Sequence, residues 1–210
     1  MSWRPAPTPI EVVRRDRAVA SDSVADMLVL HYDIPSLPAT VAVLRLQRIA
    51  DAGGTVEFRG IDVVGVDVAL PVTLDQLDEI DRWRERAESL GLEVRRPRER
   101  PPTVAAHLVG VVAGAHDLGA AWREATLRAY WTAGVSIGDP DELVSLAEEV
   151  GLPVDEVRAR LDDTAARVTL RQRMTADRGR GIGGVPVLEL DGTFVSAELS
   201  DQDLRQLAGL

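Results

Sequence analysis

An apolar run, Met27-Leu28-Val29-Leu30, leads into His31-Tyr32-Asp33-Ile34-Pro35-Ser36-Leu37-Pro38-Ala39, and apolar residues then recur at helical spacing at Val41, Leu44, Leu46 and Ile49. The run reads as a strand and the spaced residues as a helix, joined by a tight loop. A strand that feeds a helix in this way sets the helix's first unpaired N–H groups at a sheet edge, where they stabilise negative charge. A thiolate or a carboxylate is the natural guest of such an end. Pro38 suits the first helical turn, and Leu37, which precedes a proline, is biased away from helix. Ser36 therefore falls at or just outside the cap. Two readings of it stand: a capping hydroxyl, or a donor to a bound anion.

The remaining chain supplies the partners of that unit. Helix one runs over about 38–51 and stops at Gly53-Gly54. The β-branched stretch 55–64 reads as a second strand, completing a parallel βαβ unit. From about residue 65 the texture turns helical. Thr73-Leu74-Asp75-Gln76 is a capping box, and the helix it opens carries Leu74, Leu77, Ile80, Trp83, Ala87 and Leu90 inward before stopping at Gly91. Residues 95–102 cannot be helix. Their arginines, Arg95, Arg96, Arg98 and Arg100, form either a solvated linker or a clamp for a substrate carboxylate. Helices follow at about 103–114 and 117–133, the second stopped by Gly134. Asp139-Pro140 caps another that ends at Gly151, Leu152-Pro153 begins the next, and a long one runs from Thr164 to about Arg178.

The end of the chain returns to mixed structure. Gly183 to Leu190 is a strand with Pro186 near its start, Asp191-Gly192 is a hairpin turn, and Thr193–Ser196 pairs back. Ser200 caps a closing helix that contains Leu204 and Leu207. Gly179-Arg180-Gly181-Ile182-Gly183-Gly184 has the spacing of a dinucleotide loop. It follows a helix and opens a strand, the reverse of what that loop requires, so nucleotide binding is rejected.

Composition narrows the function classes. The chain has 210 residues, 45% of them hydrophobic, enough for a real core. A formal net charge of −10 argues against a binder that neutralises nucleic-acid phosphates. No apolar run is long enough to cross a bilayer. Arg14-Arg15 has the look of a twin-arginine signal, but charged residues follow where an apolar stretch is needed. A cytoplasmic protein without a membrane partner is expected. Residues 1–25 read as an N-terminal tail, with a short helix over about 9–19. There is no cysteine, no lysine and no asparagine, so all 24 basic residues are arginine. The three histidines, His31, His107 and His116, do not form a metal pattern, and no metal is expected.

Ser36 after the first strand, Leu127-Arg128-Ala129-Tyr130-Trp131 through Asp139-Pro140, and Gly184-Val185-Pro186-Val187 together resemble the DsbA-like branch of the thioredoxin superfamily. That branch includes DsbA-family oxidoreductases, kappa-class glutathione transferases and 2-hydroxychromene-2-carboxylate isomerases. The resemblance covers about residues 27–208. It implies an α/β, thioredoxin-like fold (βαβ, then αββα) with an inserted all-helical domain. The thioredoxin-like part would comprise 26–65 and 165–210, and the insert 66–164.

Each matching position carries an implied role. Ser36 falls where the kappa and isomerase members have a serine that contacts the glutathione sulfur. Pro186 matches the family's cis-proline, and the backbone of Val185 would pair with the thiol peptide. Ser200 and Asp201 resemble a Ser-Asp pair that holds the γ-glutamyl end of glutathione; capping is the alternative for Ser200. The departures are equally specific. Ser36 and Ala39 stand where both redox cysteines would be, which excludes thiol–disulfide exchange by this chain. Leu37 and Ala39 also depart from the isomerases' Ser-Pro-x-Ser. Two functions therefore compete. One is a thiol-dependent isomerase or transferase that uses glutathione or mycothiol, with Ser36 as the catalytic group and an electrophilic small molecule as substrate. The other is a catalytically silent scaffold that binds a partner. The resemblance also implies a homodimer formed through the insert.

Overall fold

The computed structural model describes residues 27–210. The expected tail helix and Arg14-Arg15 lie outside the described residues. Strand β1 (Leu28–Tyr32) feeds helix α1 (Leu37–Asp51), which returns to β2 (Val56–Gly60). β1 pairs with β2 in parallel, from Leu28 opposite Val56 to Tyr32 opposite Gly60. The second strand is shorter than its β-branched stretch, because after Gly60 the chain turns through Asp62. The Oδ1 of Asp62 accepts the N–H groups of Val64 and Gly65 at 3.1 and 3.0 Å.

A short strand β3 (Leu70–Pro71) precedes α2 (Leu74–Ser89) and pairs with β4 (Glu99–Arg100). The capping box of α2 is complete, with Thr73 Oγ accepting from Gln76 N and Gln76 Oε1 accepting from Thr73 N. Leu74, expected to face inward, is 79% exposed. It occupies the first helical position, and the burial of α2 begins in earnest only at Ile80.

Helices α3 (Val104–Ala115), α4 (Gly119–Arg128), α5 (Pro140–Val150), α6 (Val154–Asp162) and α7 (Thr164–Gly179) follow. Gly134 and Gly151 end their helical segments in the left-handed conformation, as glycine permits. The expected helix over 117–133 is continuous from Gly119 to Ala133 and changes pitch near its end. Its last turn, Ala129–Ala133, is π-helical. The wider turn turns two adjacent aromatics inward: Tyr130 donates to the oxygen of Glu99, and Trp131 reaches the loop after β1.

Strands β5 (Val187–Leu190) and β6 (Thr193–Val195) and helix α8 (Asp201–Leu207) close the chain. The sheet order is β2-β1-β5-β6, with β5 antiparallel to β1. Alternation along the strands builds two apolar layers. Leu28, Leu30 and Leu188 join Leu46 and Ile49 of α1 and Leu204 of α8. Val187 and Ile61 join Leu170 and Met174 of α7. The first layer continues without a break into Leu127, Trp131 and Val144, so the helical block packs directly on α1 and shares its core.

Candidate active site

Ser36 is the N-cap of α1. Its Oγ accepts from the N–H of Ala39 at a long 3.4 Å, and no described residue takes its own proton. Leu37 to Val43 are all buried, so the positive end of α1 is fixed between the sheet and the helical block.

The loop ahead of Ser36 is held by a residue that had no assigned role in the sequence. Asp33 is buried, and its carboxylate accepts from Ile34 N at 2.9 Å, from Val63 N at 2.9 Å and faces His107 Nε2 at 3.4 Å. His107 of α3 is itself buried and meets Tyr32 edge-on. From the other side, Trp131 Nε1 donates to Ile34 O and to Thr40 Oγ1 at 3.0 and 2.9 Å. The loop is thus clamped by three elements distant in sequence. The sequence marked two of these stretches, the one from Tyr32-Asp33 to Ala39 and the one around Tyr130-Trp131, but not their meeting.

Ser36 and Val185 line one cleft of about 240 Å3, together with Asp33, Glu79, Arg100, Tyr130 and Gly184. Burial raises the Tyr130 phenol well above its ordinary value, so it remains a neutral hydroxyl. Among the four linker arginines, Arg95 pairs with Glu93 and Arg96 with Asp81. Arg98 lines an adjoining hollow that shares Pro97 and Tyr130 with the Ser36 cleft, while Arg100 alone of the four faces that cleft.

Val185–Pro186 is a cis peptide bond. Val185 lies outside the β1–β5 ladder, whose final pair is His31 with Val187. Pro186, Ser200 and Asp201 line a neighbouring groove of about 370 Å3 with Pro38, Arg45 and Trp83. The five candidate residues therefore divide between two adjoining depressions, the first holding Ser36 and Val185 and the second Pro186, Ser200 and Asp201.

Ser200 and Asp201 are engaged internally. Ser200 caps α8, accepting from Asp203 N at 3.1 Å and donating to the Asp203 carboxylate at 2.6 Å. Asp201 pairs with Arg45 at 2.6 Å, and Arg45 also donates to the oxygens of Ala197 and Leu199. Of the other histidines, His31 Nε2 donates across the sheet to the Glu189 carboxylate at 3.0 Å, and His116 pairs with Glu156 at the surface.

The profile of the DSBA-like thioredoxin domain matches residues 45–208. The chain belongs to the DSBA-like thioredoxin domain family. Solved structures of similar proteins share the fold. A structure described as a "probable DsbA oxidoreductase" from Streptomyces coelicolor is 25% identical, with a TM-score of 0.74 over 88% of this chain and 90% of that one. A 2-hydroxychromene-2-carboxylate isomerase is 21% identical, with a TM-score of 0.69 over 87% and 93%. The cytosolic disulfide reductase DsbM from Pseudomonas aeruginosa, solved with glutathione, is 18% identical with a TM-score of 0.63 over 86% and 96%. No curated protein matches the sequence. This DSBA-like chain has no cysteine anywhere, and no described helix is long and apolar enough to cross a membrane.

Proposed function

We propose that this DSBA-like chain is an isomerase or transferase that depends on a low-molecular-weight thiol, glutathione or mycothiol, and that Ser36 stabilises the cofactor's thiolate. The observation that carries this reading is the placement of Ser36. Its oxygen is occupied by Ala39 N–H while its proton has no acceptor among the described residues, at a helix N-terminus that opens on a cleft beside Val185. A hydroxyl so placed can donate to a sulfur anion, and the helix end favours the charged form of that sulfur. Bound there, the thiol supplies the sulfur nucleophile that adds to an electrophilic carbon and is either released on isomerisation or retained in transfer.

The chain's own residues then divide the work. The backbone of Val185, free of the ladder, is available to pair with the extended thiol. The groove past Pro186 toward Ser200 and Asp201 takes its far end, where an incoming α-amino group competes with Arg45 for the Asp201 carboxylate. Arg100 and Tyr130 face the space left for the electrophile.

The internal engagement of Ser200 and Asp201 favours a second reading, a silent DSBA-like scaffold that binds a partner. Calorimetric titration of the purified chain with glutathione, mycothiol and their S-alkyl conjugates separates the two. Saturable binding weakened by Ser36→Ala is expected. Absence of binding by every thiol and conjugate overturns the enzymatic reading in favour of the scaffold.

A further inference from the structure

A second cavity lies away from the Ser36 cleft and shares no lining residue with it. It holds about 160 Å3 between the ends of β1 and β2 and helices α3, α4 and α7. In a chain of net charge −10, none of its lining residues is acidic, and two are arginines, Arg123 and Arg173.

Both guanidinium groups are partly buried and positioned by neutral oxygens. Arg123 donates through Nε and Nη2 to Gln47 Oε1 and lies 3.9 Å from the centre of the Phe58 ring. Arg173 donates to the backbone oxygen of Gly60, and its buried Nε has no partner. Neither forms an ion pair with any described residue. Glu57, the nearest acid on β2, is bound by Arg59 at 2.7 Å. Burial lowers the pKa of both arginines and outweighs the nearby acids, Asp177 and Glu57 for Arg173 and Asp51 for Arg123, which act through space without direct pairing.

Tyr32 supplies a third donor. It is 7% exposed, its hydroxyl forms no hydrogen bond with a described residue, and it lines the same cavity within electrostatic reach of both arginines. Burying cations without a directly paired acid is costly unless an anion completes the arrangement. Guanidinium forks suit phosphate and carboxylate oxygens, and two of them with a neutral hydroxyl match a doubly charged ligand.

We propose that this cavity is a binding site for a small dianion, a phosphate group or a paired carboxylate, held by Arg123, Arg173 and the Tyr32 hydroxyl. The proposal stands independently of the thiol-dependent reading, because it uses none of the same residues.

Thermal unfolding of the full chain, followed during titration with inorganic phosphate, with malonate and with sodium chloride at matched ionic strength, tests it. A ligand that binds only the native state raises the melting temperature. Phosphate or malonate is expected to raise it in a saturable manner beyond chloride, and the stronger of the two tells a phosphate ligand from a dicarboxylate one. Arg123→Gln and Arg173→Gln should each weaken the apparent affinity about tenfold or more, the loss expected for a charge-assisted contact. Val111→Trp fills the mouth of the cavity from a half-exposed position and leaves both arginines in place, so it serves where an arginine variant does not fold. It should abolish the effect. Equal shifts with chloride, or a dianion effect that survives Val111→Trp, overturn the proposal.

Discussion

The indole nitrogen of Trp131 donates a hydrogen bond to the backbone oxygen of Ile34 at 3.0 Å, tying the π-helical turn of the helical block to the loop that presents Ser36. The same nitrogen lies 2.9 Å from Thr40 Oγ1, and Thr40 in turn reaches Ile34 O at 3.4 Å. A fully buried ring thus fixes both the loop and the first turn of α1.

Trp131→Phe keeps most of the apolar contact and removes the donor. Ile34 O is left with only the long Thr40 contact inside the core. Loss of a donor to a buried acceptor costs about 1–3 kcal/mol. Urea unfolding should show a lower midpoint with an unchanged slope, and any thiol affinity should fall with it, since the loop is no longer held.

Ser36→Cys places a single thiol in a chain that otherwise has none, so its chemistry can be read without background. The N-terminus of α1 should depress its pKa below the ordinary value of about 8.5. The pH dependence of its alkylation by iodoacetamide measures this directly. A midpoint at or above that of a free cysteine would show that the helix end does not stabilise anions at this position.

Gly60→Ala tests the packing beneath Asp33. A Cβ at Gly60 would overlap the buried His107 ring, which stands between Tyr32 and Asp33. Reduced unfolded-state freedom returns only about 0.4–1 kcal/mol. Overpacking costs about 1–3 kcal/mol, so destabilisation wins. The melting temperature should drop.

Glu189 sets a pH-dependent contribution to stability. Burial alone would raise its pKa, but hydrogen bonds from His31 and Arg180 outweigh burial and hold it below the ordinary glutamate range. A folded-state pKa below the unfolded one means that stability is gained above the unfolded value and lost as pH falls through the folded one. Glu189→Gln should therefore be less stable than the parent at neutral pH. The difference should close on acidification below about pH 4, as parallel urea titrations at the two pH values would show.

The features that the sequence announced were local ones. The Thr73 and Gln76 capping box, the left-handed glycines at Gly134 and Gly151, and the Asp191-Gly192 turn each depend on residues within a few positions. Leu74 was misplaced because periodicity gives a face and says nothing about how far along the helix a neighbour extends. The π turn at Ala129–Ala133 left no mark in the spacing of apolar residues, because it keeps the helix going and changes only its pitch.

By itself the sequence determined the order of elements, the strand-to-helix loop that caps α1 with Ser36, and, through the lack of cysteine, the exclusion of disulfide chemistry. Hydrogen bonding between near neighbours and the period of apolar residues are enough for that. Only the tertiary structure decided that Asp33 meets His107, that Arg100 alone among the linker arginines faces the Ser36 cleft, and that Arg123 and Arg173 share a cavity without an acid. Those encounters join residues from separate elements, and they form only where packing around one core brings the elements together.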